Sequence, residues 1–418
     1  MSETAPKELR GAVEAWVRQA MPGLPHQRHD PAEGLPLQVV PYGPDEVLAA
    51  LDVLVSTWVT MGRQVSAFEG QWAAWCGAKG ALMVNSGSSA NLVALGALVH
   101  AGLLQAGDEV IVPAVAWSTS LFPVAQLGLV PVLVDVDPET LVLTPELVAA
   151  ARTPRTRGVV PVHLLGQPAE VAALREMGLV VLEDACAAPG AEIDGRRVGT
   201  LGAFGTFSFF FSHHLTTIEG GMLVTDDEAL LDIARSLRAH GWVRERGDRA
   251  ALESEHPEID PRFLFVSAGW NLRPTEVAGV FGQRQLQRLD AWLDQRQQNH
   301  RGWCQQLAHL APRVRCFPEL PGQRHAAMAF PLMVAPGVDR AALMAHLERR
   351  KIQTRPISGG NLARQPAFAH VPGARVAGPL PVADAVHERG FFVGNSHAFG
   401  PAHGALLQDA LEEFLDGR

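Results

Sequence analysis

Short apolar runs alternate with helical patterns between about residues 80 and 230. The clearest runs have strand length, are rich in β-branched residues and end in turn residues; they cover 81–84, 110–113, 132–135, 159–162 and 179–184. Fully apolar strands separated by helices are typical of a mostly parallel sheet that is covered on both faces. The pattern therefore predicts an α/β domain.

The pattern changes on both sides of this region. Residues 1–35 are rich in proline, histidine and charge, with one amphipathic stretch at 8–20, and are predicted to form an arm. A long helical pattern follows Pro274 and continues to about residue 309, and beyond it 330–334 is predicted to be a strand and 341–350 a helix. We therefore predict an N-terminal arm, a large domain and a small C-terminal α+β domain, at 1–35, 36–290 and 291–418.

Composition narrows the class of protein. Charged residues make up 19% and hydrophobic residues 47% of the 418 residues, which fits a globular protein with a core. The net charge of −9 gives no support to a nucleic-acid partner. No apolar run reaches membrane-spanning length, and the first residues lack a signal-peptide pattern. We therefore expect a cytoplasmic protein with no membrane partner.

The four cysteines show neither a CxxC pair nor the spacing of metal ligands. They are Cys76, Cys186, Cys304 and Cys316. We expect all of them to be reduced thiols, and we expect no metal site.

Residues 85–91, NSGSSAN, follow a predicted strand and precede a predicted helix at 92–100. Small residues at such a turn let backbone N–H groups and hydroxyls surround a phosphate at the positive end of the helix. A simple capped turn would use the same residues, because serine is a common helix cap. Gly87 and Ser88 are the candidate phosphate-binding residues.

Two further residues follow predicted strands. Asp184 ends the run at 179–184, at the edge where parallel strands present ligand-binding side chains. An aspartate there could pair with the pyridine nitrogen of a pyridoxal cofactor or simply cap a helix. Trp117 follows the run at 110–113, and its ring could stack on a cofactor or belong to the core.

Residues 205–221 read GTFSFFFSHHLTTIEGG. The spacing allows Ser208 to contact a phosphate while His213 projects from the loop that follows. A lone histidine is usually a hydrogen-bonded structural residue, but two adjacent histidines in this setting are harder to explain in that way. We assign His214 to structure or to substrate contact.

These segments occur in an order that resembles the DegT/DnrJ/EryC1/StrS sugar aminotransferase family. The resemblance covers about 36–410, and further motifs strengthen it: the segment 45–69, GWNLRPTE at 269–276, TRP at 354–356 with GNL at 360–362, and GFFVGN at 390–395. It implies the type I fold of pyridoxal-phosphate-dependent aspartate aminotransferases. In that fold the large domain carries a mostly parallel sheet and the C-terminal domain is a smaller α+β unit.

The sequence departs from the family at the cofactor lysine, where His213 stands. An imidazole cannot form a Schiff base, but it can transfer protons near neutral pH. Only Lys7, Lys79 and Lys351 occur, and none matches the family's lysine position. Histidine here resembles the sugar 3-dehydratases of the family, and above all those that act on GDP-4-keto-6-deoxymannose.

The resemblance implies roles for individual residues. Asp184 would pair with the pyridine nitrogen and Trp117 would stack on the ring, while Gly87, Ser88 and Ser208 would bind the phosphate. Asn271 would join them from the neighbouring subunit of a homodimer with shared active sites. The residues expected to contact the substrate are Arg244 and Arg273, together with Trp58, Val59 and Thr60 near the nucleotide.

The implied reaction is dehydration at C3 of a nucleotide-linked 4-keto-6-deoxy sugar, with His213 as the catalytic acid–base. The cofactor would be bound without a covalent link, as pyridoxal or pyridoxamine 5'-phosphate, and glutamate would restore its amine. Two enzyme alternatives stay open: an aminotransferase with a noncovalent cofactor, and the iron–sulfur sugar 3-dehydratases, which need four clustered cysteines. A non-catalytic binding protein is the third. The nucleotide and the sugar stereochemistry are not determined by the sequence.

Overall fold

The computed structural model of the protein describes residues 7–21 and 28–417, with side chains from Leu9 onward. Its helices are α1 Lys7–Ala20, α2 Pro44–Ser56, α3 Arg63–Cys76, α4 Gly87–His100, α5 Ser118–Gln126, α6 Pro145–Ala151, α7 Val171–Glu176, α8 Glu228–Arg238, α9 Arg249–Glu255, α10 Glu276–Leu307, α11 Arg340–Arg349, α12 Pro381–Arg389 and α13 Pro401–Leu415. Its strands are β1 Gly80–Val84, β2 Glu109–Pro113, β3 Val130–Val134, β4 Thr156–Val159, β5 Val180–Asp184, β6 Glu192–Ile193, β7 Arg196–Arg197, β8 Phe204–Ser208, β9 Gly221–Thr225, β10 Val314–Cys316, β11 Gln323–Arg324, β12 Ala329–Val334, β13 Thr354–Pro356, β14 Arg375–Val376 and β15 Gly390–Gly394.

The large sheet has eight strands in the order β1-β9-β8-β5-β4-β2-β3-β14. Strand β9 runs antiparallel to both of its neighbours, and the remaining pairings are parallel. The predicted α/β class, with a mostly parallel sheet, is confirmed.

One strand differs from its predicted position. The run at 159–162 was expected to be a strand, but β4 covers Thr156–Val159 and pairs with β5 through Gly158 and Val159. Pro161 explains the shift, because proline has no N–H to donate to a central ladder. The other predicted strands lie within two residues of β1, β2, β3 and β5.

Helices cover both faces of the large sheet. One face packs against α4, α5 and α8, with Val93, Leu121 and Leu230 in its core. The other face packs against α6 and α7, with Val148 and Leu174 in its core. Since both faces are covered, β2 and β8 are buried along their whole length, and for β2 the apolar run at 110–113 predicts this burial.

A second sheet, in the order β10-β12-β15-β13, lies in the C-terminal part of the chain. Its core includes Leu35, Trp303, Phe330 and Leu407. The predicted boundary at residue 290 falls inside α10, and β14 crosses back to join the large sheet beside β3. The division at residues 35 and 290 stays a prediction.

Helix α1 coincides with the amphipathic stretch predicted at 8–20, and Arg18 and Arg10 bond to Asp45 and Asp52 on α2. None of the helices in the described part of the chain is both long and apolar enough to cross a bilayer.

Candidate active site

The carboxyl ends of β1, β2, β5 and β8 lie at one edge of the large sheet, because these strands share one direction. The segments that follow them meet there: the turn before α4, the turn before α5, the end of β5 and the loop between β8 and β9. Ligands of open α/β sheets bind at this edge. It carries His213 and five of the six predicted cofactor-binding residues.

Asp184 ends β5, and its side chain is only 4% exposed. Its Oδ2 accepts hydrogen bonds from Asn91 Nδ2 at 2.9 Å and from Ser120 Oγ at 2.7 Å. Its Oδ1 accepts a bond from the backbone N–H of Cys186 at 3.2 Å. These donors come from different elements and fix the direction of the carboxylate.

Asn91 and Ser120 were missed from the sequence. Asn91 is itself held by Thr206, whose hydroxyl donates to Asn91 Oδ1 at 2.6 Å. Asn91 lies four residues after Gly87, on the same face of α4, so the helical period would have pointed to it. The predicted helix began at residue 92 and hid this relation, whereas α4 begins at Gly87.

Glu183, next to Asp184, points to the opposite face of β5 and serves the fold. Its buried carboxylate accepts bonds from the backbone N–H groups of Gly199, Leu201 and Gly202. His163 Nε2 lies 3.2 Å from the same carboxylate and donates to it, because His163 Nδ1 accepts from Ala169 N. The strand's alternation thus separates a ligand-facing carboxylate from a structural one.

The turn before α4 explains why the helix starts early. Ser86 is the N-cap, and its Oγ accepts a hydrogen bond from Ser89 N at 3.1 Å. A Cβ on Gly87 would lie 2.7 Å from Ser208 Cβ and 2.9 Å from Cys186 Sγ. Glycine therefore lets the helix N-terminus approach the end of β8, and Gly87 and Ser208 meet as predicted.

Gly87, Ser88 and Ser208 together form what we call the phosphate cradle, to which the two serines contribute hydroxyl groups. Ser88 Oγ donates to Thr119 Oγ1 at 3.0 Å, which joins α4 to the start of α5, and Ser208 Oγ accepts from Phe210 N at 3.3 Å. A Cβ on Gly221 would lie 2.3 Å from Ser86 O, so the glycine that ends the 205–221 segment lets β9 pass close to the turn. Hydroxyls beside a helix N-terminus fit a phosphate monoester.

Trp117 directly precedes α5 and is 61% exposed. It borders a cavity of about 310 Å³, whose lining also includes Ser118, Leu121, Phe122, Gly359, Leu362, Gln365, Ala367 and Phe368. Ser120, three residues later, donates a hydrogen bond to Asp184, so the backbone of Trp117 lies beside the site. Its proposed stacking on a cofactor ring stays a prediction.

His213 lies in the loop between β8 and β9 and is half-buried. Burial lowers the pKa of its imidazole to about 4; the charge of Asp184 opposes this shift and the charge of Arg296 adds to it. The ring is therefore neutral at pH 7 and able to accept a proton.

His214 has a different environment. It is fully buried, and its Nε2 donates a hydrogen bond to Ala326 O at 2.8 Å. Of the two roles considered for His214, structure is therefore the one that its contacts support. The histidine pair separates into one ring at the site and one in the core.

The family assignment agrees with this geometry. The sequence profile described as the DegT/DnrJ/EryC1/StrS aminotransferase family matches residues 42–405. The chain belongs to this family.

Characterised family members similar to this chain include two dehydratases. The GDP-4-keto-6-deoxy-D-mannose 3-dehydratase of Yersinia pseudotuberculosis is 35% identical, over 86% of this chain and 93% of that protein. The dTDP-4-dehydro-2,6-dideoxy-D-glucose 3-dehydratase of Saccharopolyspora spinosa is 36% identical, over 84% of this chain and 80% of that protein. The predicted resemblance to the dehydratase branch of the family is confirmed.

A solved structure of a family member is also similar. It is a GDP-4-keto-6-deoxymannose 3-dehydratase with a trapped PLP–glutamate geminal diamine. It is 32% identical, has a TM-score of 0.83, and the match covers 90% of this chain and 100% of that chain. The predicted type I aminotransferase fold is confirmed.

The lysines of the present protein whose side chains are described lie away from the site. Lys79 is exposed and precedes β1, so it lies at the opposite end of that strand from the turn before α4. A strand of this length spans about 17 Å. Lys351 is exposed beyond the end of α11. Neither of the two lysines with described side chains can replace the family's cofactor lysine.

The predicted substrate residues form a separate, exposed group. Val59 O accepts a hydrogen bond from Glu276 N at 3.1 Å, and Thr60 pairs with Thr275. Arg273 Nε donates to Asn271 Oδ1 at 3.0 Å, and Trp58 is 65% exposed. The fold thus brings Trp58–Thr60 beside the segment that contains Asn271 and Arg273.

Arg244 is also exposed, but its contacts are different. Its guanidinium lies 4.3 Å from the centre of the Trp242 ring, and Nη2 donates to Arg262 O at 3.4 Å. Trp242 in turn stacks on Phe265, with ring centres 5.6 Å apart. The substrate roles of Arg244, Arg273 and Trp58–Thr60 stay predictions.

Proposed function

We propose that this protein is a pyridoxamine-phosphate-dependent 3-dehydratase of a nucleotide-linked 4-keto-6-deoxyhexose. The observation that carries the proposal is His213, a neutral imidazole near Asp184 where the family has its cofactor lysine. Relatives named as 3-dehydratases of a GDP-sugar and of a dTDP-sugar support this class of reaction.

The site contains side chains that fit the cofactor. Asp184 would pair with the pyridine nitrogen, and its orientation by Asn91 and Ser120 would keep it aimed at that atom. Gly87, Ser88 and Ser208 would hold the phosphate at the N-terminus of α4, with Trp117 against the ring. When bound, pyridoxamine phosphate supplies a primary amine for the sugar ketone and a ring that accepts electrons.

His213 would move the proton that elimination requires. The ring is neutral at pH 7, and a neutral imidazole nitrogen can accept a proton from the carbon that bears the amine. The imidazolium formed can then protonate the C3 oxygen as it leaves as water. The amine nitrogen would pass to the sugar and be lost as ammonia when water hydrolyses the sugar imine to a ketone, after which the amino donor would restore the cofactor's amine. An imidazole cannot form a Schiff base, so the cofactor would stay bound without a covalent link.

A second subunit would complete the site. Asn271, Arg273 and Trp58 are exposed on a single chain, although the family resemblance places them at ligands. Three apolar residues of the site loop, Phe210, Phe211 and Ile218, are 44%, 40% and 50% exposed. Exposed apolar side chains of this kind are typical of an interface. We therefore propose a homodimer in which Asn271 reaches the partner's phosphate.

Glutamate is the proposed amino donor, in keeping with the related structure that contains a PLP–glutamate adduct. The base and the sugar stereochemistry stay open, since one relative is named for GDP and another for dTDP. A cytoplasmic location is proposed because nucleotide-sugar chemistry needs soluble substrates.

The test is a panel of nucleotide-linked 4-keto-6-deoxyhexoses incubated with protein, pyridoxal phosphate and glutamate, with mass analysis of products. The proposal expects a sugar that has lost the C3 oxygen, together with ammonia and 2-oxoglutarate. A product that keeps the C3 oxygen and carries nitrogen at C4 would make the protein an aminotransferase.

Borohydride reduction tests the noncovalent cofactor separately. Reduction should leave the protein mass unchanged, because no described lysine reaches the site. A mass increase by one reduced pyridoxyl phosphate would contradict the proposal.

An iron–sulfur mechanism finds no support in the thiols, since Cys76, Cys186, Cys304 and Cys316 lie in α3, after β5, in α10 and in β10.

A further inference from the structure

The main chain of His213 is held by a residue from a distant part of the sequence. Gln38 Nε2 donates a hydrogen bond to His213 O at 3.0 Å across 175 residues of sequence. Within the loop itself, His213 N donates to Phe210 O at 3.0 Å. Gln38 therefore supplies the side-chain contact that ties the His213 backbone to the rest of the molecule.

The other end of the Gln38 amide is held by Arg296. Arg296 Nη2 donates to Gln38 Oε1 at 3.2 Å. A guanidinium has only donors, so the amide oxygen must face Arg296 and the amide nitrogen must face His213 O. The two bonds thus fix which way the amide points, and a flipped amide would lose both.

Arg296 is an uncommon group to find in this position. It lies on α10 with no exposed surface, and Nη1 donates to Met328 O at 3.0 Å and to Asn395 O. Among the described residues, no carboxylate forms an ion pair with it. Burial lowers the pKa of Arg296 to about 9, so it still carries a charge at pH 7. Its acceptors are carbonyl oxygens, which leaves its charge unneutralised near His213.

The segment that carries Gln38 is rigidly placed. Leu35 N donates to Lys351 O at 2.9 Å, and Gln353 N donates to Leu35 O at 2.9 Å. Leu37 N donates to Gln353 Oε1 at 3.0 Å. A Cβ on Gly394 would lie 2.0 Å from Pro36 O, so this segment also lies directly against the end of β15. Gln38 is thus presented to the site from a fixed backbone.

We propose that Gln38 and Arg296 are positioning residues for His213, with Gln38 bracing its backbone and Arg296 orienting Gln38. The role rests on the proposed function, in which neutral His213 is the base. Burial is the largest influence on the pKa of His213 and lowers it, and the charged groups that act on this pKa are Asp184 on β5 and Arg296 on α10. Asp184 favours the protonated ring, while Arg296 disfavours it.

Two substitutions of Gln38 distinguish the loss of its hydrogen bond to His213 O from the effect of a charge near the imidazole. Gln38→Leu keeps the volume and removes both hydrogen bonds; we expect kcat to fall about tenfold with KM for the nucleotide sugar within about twofold, because the base is misplaced but the substrate contacts remain. Gln38→Glu also loses the donor to His213 O, but it keeps an acceptor for Arg296 and adds a negative charge, so its difference from Gln38→Leu isolates the effect of charge. We expect the pKa of His213 to rise by about one unit and the acid limb of kcat to move with it.

The experiment combines steady-state kinetics over pH with NMR titration of histidine-labelled protein, in which His213→Asn identifies the resonance. Gln305→Ala, on the exposed face of α10, is the matched control and should behave as wild type. Normal kcat in Gln38→Leu together with an unmoved His213 titration in Gln38→Glu would overturn the proposal. The titration needs neither substrate nor cofactor. A protein without dehydratase activity but with the expected shift would refute the proposed function and leave only the coupling of Gln38 to His213 standing.

Discussion

The side-chain amide of Asn91 donates a 2.9 Å hydrogen bond to Oδ2 of Asp184, although the two residues are 93 positions apart. Asn91 lies in the second turn of α4, the helix whose first turn forms the proposed phosphate cradle. One helix therefore supports two parts of the same cofactor site. Displacing it would disturb the proposed phosphate and pyridine contacts together.

Asn91→Leu should weaken cofactor binding without unfolding the protein. The change removes one donor to Asp184 and leaves the Thr206 hydroxyl without its acceptor, and losing a buried hydrogen bond costs about 1–3 kcal/mol. We expect the Kd for pyridoxal phosphate, measured by absorbance titration, to rise at least about fivefold. Asp226→Asn, on the exposed turn after β9, is the control. Equal affinities in the two variants would refute the support role of Asn91.

Gly87→Ala should block the phosphate cradle. The added methyl group would lie 2.7 Å from Ser208 Cβ, and overpacking of this kind costs about 1–3 kcal/mol. We expect inorganic phosphate and pyridoxal phosphate to lose affinity together in equilibrium binding. Gly302→Ala is a matched change on α10, where a Cβ meets nothing within 4 Å, and should stabilise the fold by about 0.5–1 kcal/mol. Unchanged phosphate affinity in Gly87→Ala would place the cofactor phosphate elsewhere.

His213 should decide between loss of the C3 oxygen and amination. We expect His213→Asn to bind cofactor normally but to lose dehydration by at least about a hundredfold, because general acid–base catalysis contributes about 10²–10⁴ in rate. We expect His213→Lys to gain some aminotransferase character and to become sensitive to borohydride. Mass analysis of sugar products reads out both variants. Full dehydration by His213→Asn would remove His213 from the mechanism.

Acid should destabilise the protein through its buried histidines. His300 stacks on His325 with ring centres 4.3 Å apart, and burial lowers the pKa of His300 to about 4. An unfolded histidine binds its proton near pH 6.5, so the unfolded state binds more protons between about pH 6.5 and 4. The free energy of unfolding should therefore fall as the pH falls through this window.

His300→Phe tests how much a single buried histidine contributes to this pH dependence of the unfolding free energy. The loss of unfolding free energy between pH 7 and pH 5 should become smaller by about 2 kcal/mol, the linkage expected for one such histidine. Chemical denaturation at both pH values measures it. His370→Phe, a change at an exposed histidine in the helical turn at 366–370, should keep the wild-type pH dependence. The same slope in wild type and His300→Phe would show that the pKa of His300 is not lowered in the folded protein.

The local parts of the site could be predicted because each follows a single element. Asp184 and Ser208 lie at the ends of strands, and Gly87 and Ser88 begin a helix after a strand. The order and spacing of these residues along the chain therefore indicate their roles. The supporting residues could not be found in this way. Asn91, Ser120 and Gln38 are ordinary polar residues in the sequence, and only their partners distinguish them.

The sequence by itself determined the α/β class, the family and the replacement of the cofactor lysine by histidine, because strand periodicity and short motifs are local properties of a chain. Only the tertiary structure decided the protonation state of His213, which depends on burial and on charges brought from Asp184 and Arg296. It also separated His213 at the site from His214 in the core. Electrostatic environment and hydrogen-bond partners arise from contacts between distant segments, and those contacts exist only once the chain has folded.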